Sequence, residues 1–211
     1  MDTSVKTKID KNKSFTKQFY SSKKYNTLSR LLNYAIQIHE IIDLEPDNTL
    51  EIGIGNGFVK NALKHLGYRV TTLDNNTELE PDIVGNVNRL PFRNNEFDLI
   101  ACFEVLEHMQ YIDFEKSLQE LKRVSKNNIL ISIPDASYKL KFDMPLVKKL
   151  IILPFRRSIP VTRSHFWEVN SKGYPLAKIL KSINNVGLNV RKNYLPGNNS
   201  RLRYFLLSVN K

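Results

Sequence analysis

The chain of 211 residues, 41% of them hydrophobic and 25% charged, has the composition of an ordinary soluble globular protein and the length of one α/β domain, not two. It contains neither the apolar core of a signal peptide nor an apolar run of membrane-spanning length, and its single cysteine, Cys102, excludes an internal disulfide. These features predict a cytoplasmic protein.

The N-terminal 26 residues form a basic arm. Residues 1–30 carry eight lysines or arginines against two aspartates, and they contribute +6 to the net charge of +11. Few apolar residues precede Leu28, which favours a solvated tail. A less favoured alternative is a clamp on RNA, on another polyanion or on an acidic lipid surface, because all three attract positive charge.

A helix and a glycine-rich turn follow the arm. Apolar residues recur at helical spacing from Thr27 to Leu44, which predicts an amphipathic helix. The segment Thr49-Leu-Glu-Ile-Gly-Ile-Gly-Asn-Gly-Phe58 then has the pattern of a buried strand that enters a glycine turn, and helix-compatible sequence follows from Val59 to Leu66. Glycines allow a sharp turn and close approach of a ligand, while a helix start offers unpaired N–H groups. The strand, turn and helix together predict a nucleotide-binding corner.

The details of this turn argue against a dinucleotide ligand. A dinucleotide fingerprint has glycines at its first, third and sixth positions, whereas the sixth position here is Phe58 and the third glycine is Gly57. Acidic Glu51 lies just upstream, which suits a ligand with a positive end. A second predicted strand ends in Asp74, 21 residues after Gly53, near the spacing at which an acidic residue binds a ribose diol.

The remaining elements continue the alternation of strands and helices. The segment 75–82 lacks helical periodicity and predicts a turn before a very short third strand. The fourth predicted strand, 96–102, is almost continuously apolar, as a central parallel strand is expected to be. The further predicted elements are the third strand at 83–84, a helix at 113–124, a fifth strand at 128–134, a helix at 173–183, and closing strands at 188–195 and 201–209 joined by a turn at 196–200.

Five segments together resemble class I S-adenosylmethionine-dependent methyltransferases, most closely their small type 11 branch. In chain order they are Glu51-Ile-Gly-Ile-Gly-Asn-Gly57, Val70-Thr-Thr-Leu-Asp74, Leu90-Pro-Phe92, Phe97-Asp-Leu-Ile100 and Glu104-Val-Leu-Glu-His108. The resemblance covers about residues 28–209, and its specific part is 49–109.

The resemblance implies a Rossmann-like α/β fold. Its seven-stranded sheet is expected to be mostly parallel with helices on both faces, with the last strand antiparallel at the sheet edge. A cap insertion is expected after strand 5, at about 136–170. Residues 1–26 are then a basic arm or a lid over the cofactor cleft, and 27–211 the methyltransferase domain.

The resemblance also assigns a cofactor, S-adenosylmethionine, and residues that hold its two polar ends. Glu51 is expected near the cofactor ammonium group. The loop of Gly53, Gly55 and Gly57 is expected beneath the methionine portion, and Asp74 at the ribose hydroxyls.

Four further residues are expected around the cofactor. Asn86 stands where the family commonly has an aspartate that accepts from the adenine amino group; its side-chain oxygen can accept the same bond, or it is a plain turn asparagine. Val87 is expected to contact the adenine. Phe103 and Glu104 follow the fourth strand, where ligands of open α/β sheets bind, and Glu104 is expected to shape the pocket at the methionine end.

Two histidines are candidate catalytic bases, since an imidazole can remove a proton from a hydroxyl near neutral pH. His108 is either that base or a packing residue beside the cofactor, and on a helix opening it would share a face with Glu104. His165 is the second candidate, or it holds its loop by a hydrogen bond. Glu107 is expected at the surface or as a cap, and Cys102 as inert packing. The sequence shows no metal-ligand cluster.

The expected insertion combines basic and apolar residues. This mixture favours an acidic or amphiphilic acceptor or peripheral contact with a membrane surface, although a cap helix packed on its own domain better explains most of the apolar residues. Phe166 and Trp167 follow the insertion and are expected to contact substrate.

The expected reaction is methyl transfer to an oxygen or nitrogen of a small-molecule, glycan or lipid-precursor acceptor. Two alternatives are an RNA methyltransferase that uses the basic arm, and a non-catalytic protein that binds S-adenosylmethionine. The sequence leaves the acceptor and the oligomeric state open.

Overall fold

A computed structural model describes residues 15–144, 147–156, 164–196 and 201–209, and for 138–156 the backbone alone. Its main feature is a seven-stranded sheet with the strand order β3-β2-β1-β4-β5-β9-β8. The strands are β1 Asn48–Ile52, β2 Arg69–Asp74, β3 Ile83–Val84, β4 Phe97–Phe103, β5 Ser125–Pro134, β8 Leu188–Tyr194 and β9 Leu202–Val209. Strands β1 to β5 pair in parallel, and this confirms the predicted Rossmann-like sheet.

The last strand is antiparallel, as predicted, but it does not lie at the edge of the sheet. Strand β9 runs antiparallel to both of its neighbours, β5 and β8, so it occupies the second position and β8 forms the edge. The expectation of an antiparallel edge strand is therefore wrong. The physical reason is the burial of the two strands: six consecutive residues of β9 are buried, whereas most of β8 is exposed or half-buried. A strand that is apolar on both faces is stable only inside a sheet.

Helices cover both faces of the sheet, as predicted. They are α1 Lys17–Ser21, α2 Leu28–Ile42, α3 Phe58–His65, α4 Phe114–Val124 and α5 Leu176–Asn185. Alternate residues of β4 enter two separate cores: Ile100 packs in the cluster that holds α4 and α5, and Ala101 in the cluster that holds α2 and α3. The sheet is therefore a middle layer with its ligand-binding edge at the carboxyl ends of β1, β2 and β4.

The insertion after β5 forms a β-hairpin, not the expected cap helix. Strand β6 (Ser137–Met144) pairs antiparallel with β7 (Val147–Arg156) in a separate two-stranded sheet. The sequence from Tyr138 to Met144 alternates polar and apolar residues with a period of two, which favours a strand over a helix. Residues 157–163 of the predicted insertion, 1–14 of the basic arm and the predicted turn at 197–200 lie outside the described residues.

Among the described residues, no helix combines the length and the hydropathy that crossing a bilayer requires.

Candidate functional site

The glycine loop 53–57 connects β1 to α3 at the carboxyl edge of the sheet. Gly53, Gly55 and Gly57 have φ angles of +83°, +53° and +73°, a region that residues with a Cβ rarely adopt. Gly53 is also constrained by its surroundings, because a Cβ built there would lie 2.3 Å from Cγ2 of Val105. The loop therefore packs directly against the segment that follows β4.

Asp74 ties the end of β2 to this loop. Its Oδ2 accepts a hydrogen bond from the backbone N–H of Ile54 at 3.0 Å, and its Oδ1 accepts one from Asn76 at 2.9 Å. Burial raises the pKa of this carboxyl, and hydrogen bonds from the backbone of Asn76, Ile54 and Asn75 act in the opposite direction. An ionised carboxylate has about four acceptor positions, so these donors do not use all of them, and a hydroxyl of a bound nucleoside can still be accepted. The sequence predicted the ligand role of Asp74 but not its role in fixing the loop.

Glu51 lies inside the protein beneath the same loop. The side chain is buried, and its Oε2 accepts no hydrogen bond from any residue that the structure describes. Burial raises the pKa of Glu51 to about 8, and the nearby Lys60 partly offsets that effect. A buried carboxylate with a free oxygen is stabilised by a cationic ligand group. Its contact with a ligand ammonium stays a prediction.

Asn86 and Val87 follow β3. The Oδ1 atom of Asn86 accepts a hydrogen bond from the backbone N–H of Asn88 at 3.2 Å, and the side chain is exposed. This is the geometry of a turn asparagine, which was the alternative to adenine recognition. Val87 is buried in the core. The role of both residues at an adenine stays a prediction.

The segment after β4 carries Phe103 and Glu104. Phe103 is buried near Tyr204, with ring centroids 6.3 Å apart. Glu104 has a φ of +54° and pairs with Arg30 of α2, whose Nη1 lies 3.3 Å from Oε1. The guanidinium of Arg30 in turn lies 4.1 Å from the ring centroid of Tyr25. Sequence analysis did not identify Arg30, because it lies 74 residues from its partner.

The expected helix opening at Glu104 to His108 is wrong. Leu106–His108 is a single 3-10 turn, and the left-handed backbone of Glu104 precedes it, so the two side chains are not one helical turn apart. Val105 precedes this turn and packs against Gly53.

The N-terminal segment 15–26 crosses the edge where these loops meet. The Oδ1 of Asn26 accepts a hydrogen bond from Nδ2 of Asn56 at 2.9 Å, and the backbone carbonyl of Phe15 accepts one from Asn76 at 2.8 Å. Tyr20 stands over the glycine loop, since a Cβ on Gly55 would lie 3.7 Å from its Cε1. These contacts place the segment across the carboxyl ends of β1 and β2.

The two predicted histidines come together beside this segment. The rings of His108 and His165 are 4.9 Å apart in an edge-to-face arrangement, and the ring of Phe15 lies 5.5 Å from His108. Burial and the neighbouring His165 lower the pKa of His108 to about 4. His108 is therefore neutral at physiological pH, and its affinity for a proton is lower than that of an ordinary imidazole.

Two glutamates complete the cluster around the histidines. Glu107 was expected at the surface, which is wrong, because its side chain is fully buried. Glu168 is also buried, and its Oε1 lies 2.8 Å from Nδ1 of His165. The chain returns to this point because the backbone N–H of Phe166 donates to the carbonyl of Glu107 at 2.9 Å. That pairing joins segments almost 60 residues apart, a distance no local pattern reveals.

Two further residues, Trp167 and Cys102, are buried in the protein interior. Trp167 is fully buried in the core, so it cannot contact substrate as expected, whereas Phe166 is exposed. Cys102 is buried on β4, and burial raises the pKa of its thiol well above the usual range, in line with inert packing.

Comparisons with known proteins agree with this geometry. Residues 50–133 match the family model of a methyltransferase domain. An uncharacterized protein of Methanocaldococcus jannaschii is 36% identical to this chain over 83 residues. The aligned region covers 37% of this chain and 36% of that protein, so the chain spans about a third of the length of the curated relative it matches.

Solved structures share the fold. The magnesium protoporphyrin IX methyltransferase of Synechocystis PCC 6803 with bound S-adenosylhomocysteine has a TM-score of 0.61 at 12% identity, covering 87% of this chain and 84% of that chain. A SAM-dependent methyltransferase of Aquifex aeolicus has a TM-score of 0.61 at 17% identity, covering 93% and 100%. At these identities the likeness concerns the fold.

Proposed function

We propose that this protein transfers a methyl group from S-adenosylmethionine to an acceptor. Residues 50–133 match the family model of a methyltransferase domain, and solved structures of S-adenosylmethionine-dependent methyltransferases share the fold. The observation that carries the proposal is the joint geometry of the glycine loop and Asp74. Three left-handed glycines bend the chain at the end of β1, and the carboxylate at the end of β2 holds that bend from the side.

This geometry fits an adenosine that is attached to an amino acid. Asp74 offers its remaining acceptor positions to the ribose hydroxyls, and the glycine backbone lets the methionine portion approach closely. Glu51, buried with an oxygen free of hydrogen bonds from the described residues, compensates the charge of the cofactor ammonium. S-adenosylmethionine supplies an already activated methyl, so the protein mainly aligns an acceptor behind it and excludes water.

The segment 15–26 acts in this proposal as a lid. It lies across the glycine loop and contacts Asn56 and Asn76 on either side of it. The aromatic rings of Phe15, Phe19, Tyr20 and Tyr25 pack against one another, so the segment moves as one apolar unit. Such a lid has to open for cofactor exchange and closes to exclude water during transfer.

The acceptor in this proposal presents an oxygen or a nitrogen, as part of a small molecule, a glycan or a lipid precursor. A hydroxyl acceptor has to lose its proton, and His108, with a pKa lowered to about 4, is a weak base for that step near neutral pH. The hairpin β6–β7 follows the carboxyl end of β5 and so extends from the same edge of the sheet.

Calorimetry with S-adenosylhomocysteine, S-adenosylmethionine and a nicotinamide dinucleotide tests the cofactor. We expect heat with the first two and none with the third; the reverse pattern contradicts the proposal. Transfer of tritium from methyl-labelled cofactor to acceptors in a cell extract separates an enzyme from a protein that only binds the cofactor. Labelled RNA as the main product would instead support the RNA methyltransferase, and its binding would weaken steeply with salt.

A further inference from the structure

The cluster beside the glycine loop brings together three side chains that commonly bind metal ions. One ligand-type atom from each of Glu107, His108 and His165 lies within 4.8 Å of the other two. The Nε2 of His165 is 3.9 Å from Oε1 of Glu107. Around a metal ion with bonds of about 2.0–2.2 Å, neighbouring ligand atoms lie roughly 3–3.4 Å apart. The ligand atoms would therefore have to approach one another by up to about 2 Å, a distance that rotation of the side chains can supply.

Both imidazoles are oriented as metal ligands usually are. Nδ1 of His165 lies 2.8 Å from the carboxylate of Glu168, and Nδ1 of His108 lies 3.3 Å from the backbone carbonyl of Ser164. An acceptor oxygen at Nδ1 holds the proton on that nitrogen and leaves Nε2 as the electron-pair donor. A carboxylate behind a ligating histidine is a frequent second layer of metal sites.

The third member, Glu107, is a buried carboxyl group whose described ion-pair contact is the ring of His165. Its side chain is fully buried, and neither oxygen accepts a hydrogen bond from another described residue. Buried carboxylates are normally paired, hydrogen-bonded or bound to metal. This burial is an observation separate from the distances within the cluster, and it favours a cationic partner for the carboxyl group.

We propose that Glu107, His108 and His165 bind a divalent first-row transition-metal ion, with Glu168 positioning His165. Two imidazoles and one carboxylate are a ligand set that such ions accept, and three protein ligands leave coordination positions open. The ion would lie near the cofactor loop, because Val105 contacts Gly53 and Glu107 follows two residues later.

A metal ion held by three protein ligands has an open coordination position, and the group that fills it defines the class of acceptor. This part of the inference rests on the proposed methyl transfer. A hydroxyl oxygen of the acceptor coordinates the ion, which lowers its pKa so that its proton passes to solvent. The alkoxide oxygen then forms a bond to the methyl carbon while the bond from that carbon to sulfur breaks. The products are a methyl ether and neutral S-adenosylhomocysteine. The metal therefore favours an oxygen acceptor over a nitrogen acceptor.

Metal binding is tested on the full chain without an affinity tag, with Mn²⁺ followed by electron paramagnetic resonance and Zn²⁺ as competitor. We expect one tight site per chain. Glu107→Gln and His165→Asn should weaken Mn²⁺ binding at least about a hundredfold, and Glu168→Gln about 10–100-fold as a positioning residue. The matched controls His39→Asn and His65→Asn, which change exposed histidines outside the cluster, should leave the affinity unchanged. Equal Mn²⁺ affinity in all variants, or no binding to the wild type, overturns the site.

Two further measurements keep the outcome unambiguous. Each variant should retain binding of S-adenosylhomocysteine, which shows that it is folded. A variant that loses this binding is replaced by His108→Asn, because His108 is the most exposed of the three proposed ligands. Water-proton relaxation of bound Mn²⁺ should reveal exchangeable water on the ion. A fully closed coordination shell overturns the acceptor step while leaving the metal site intact. Binding of Mn²⁺ without binding of S-adenosylhomocysteine would refute the proposed function and not the metal site.

Discussion

Substitution of Gly53 by alanine tests whether the loop is held by steric fit as well as by backbone conformation. The left-handed φ of +83° costs a residue with a Cβ about 1–2 kcal/mol. The added Cβ would lie 2.3 Å from Cγ2 of Val105, and overpacking of this kind costs about 1–3 kcal/mol more. We therefore expect Gly53→Ala to lower the free energy of unfolding by about 2–5 kcal/mol.

Gly67→Ala is the matched control for this experiment. Gly67 has a similar φ of +89°, and a Cβ there meets nothing within 4 Å. Its substitution should therefore cost only the backbone part, about 1–2 kcal/mol. The difference between the two variants, measured by urea unfolding at constant m-value, isolates the contact with Val105.

A double variant completes the test. Val105→Ala removes the methyl that the new Cβ would meet, so Gly53→Ala/Val105→Ala should lose less stability than the two single changes add up to. Gly53→Ala should also weaken binding of S-adenosylhomocysteine, whereas Gly67→Ala should not. If Gly53→Ala costs no more than Gly67→Ala, or if the double variant is strictly additive, the loop is not held by this contact.

Three further predictions concern the carboxylates and the lid. Asp74→Ala should weaken S-adenosylhomocysteine binding by about 1–3 kcal/mol, or roughly 5–150-fold by calorimetry, because hydroxyl partners are left unpaired. The control Asp82→Ala removes comparable bonds to the backbone and hydroxyl of Thr72 but should leave that affinity unchanged; equal effects of both would place the ribose elsewhere. Because the folded-state pKa of Glu51 is raised from 4.5 to about 8, its stabilising contribution is complete below pH 4.5 and is lost as pH rises through 8. Glu51→Gln removes this dependence, so the unfolding free energy of the variant minus that of the wild type should increase from pH 5 to pH 9, and a constant difference would contradict the shift. Bound S-adenosylhomocysteine should slow trypsin cleavage after exposed Lys17, Lys23 and Lys24 but not after exposed Lys181, and equal protection at all four sites would argue against a lid.

The fold was largely predictable because its signals are local. Strand β3 was predicted at its observed bounds, and α2, α3 and α4 within about two residues, since each follows from the spacing of apolar residues over one element. The local structure of the predicted nucleotide corner was predictable for the same reason, because the glycines and Asp74 lie within one strand–turn–helix–strand unit.

The errors concern properties that one segment does not determine. The order of β8 and β9 depends on which strand is the more completely buried in the assembled sheet. The hairpin β6–β7 was missed because short apolar runs fit a helix or a strand, and only the pairing of the two segments decides between them. Arg30 and Glu107 were missed because their partners lie far away in sequence, and a charged residue on a short segment is expected to be exposed.

The short segment after β4 connects the proposed cofactor loop to the histidine cluster. Val105 fills the space that the missing side chain of Gly53 leaves, and two residues later the carboxylate of Glu107 turns inward beneath His165. A change in the glycine loop that pushes Val105 away must also move Glu107, because a single 3-10 turn joins them. We therefore expect the proposed cofactor loop and the proposed metal site to be coupled, and by linkage each ligand should alter the affinity of the other by the same factor. If Mn²⁺ leaves the affinity for S-adenosylhomocysteine unchanged, the two sites are independent, and the segment only connects them.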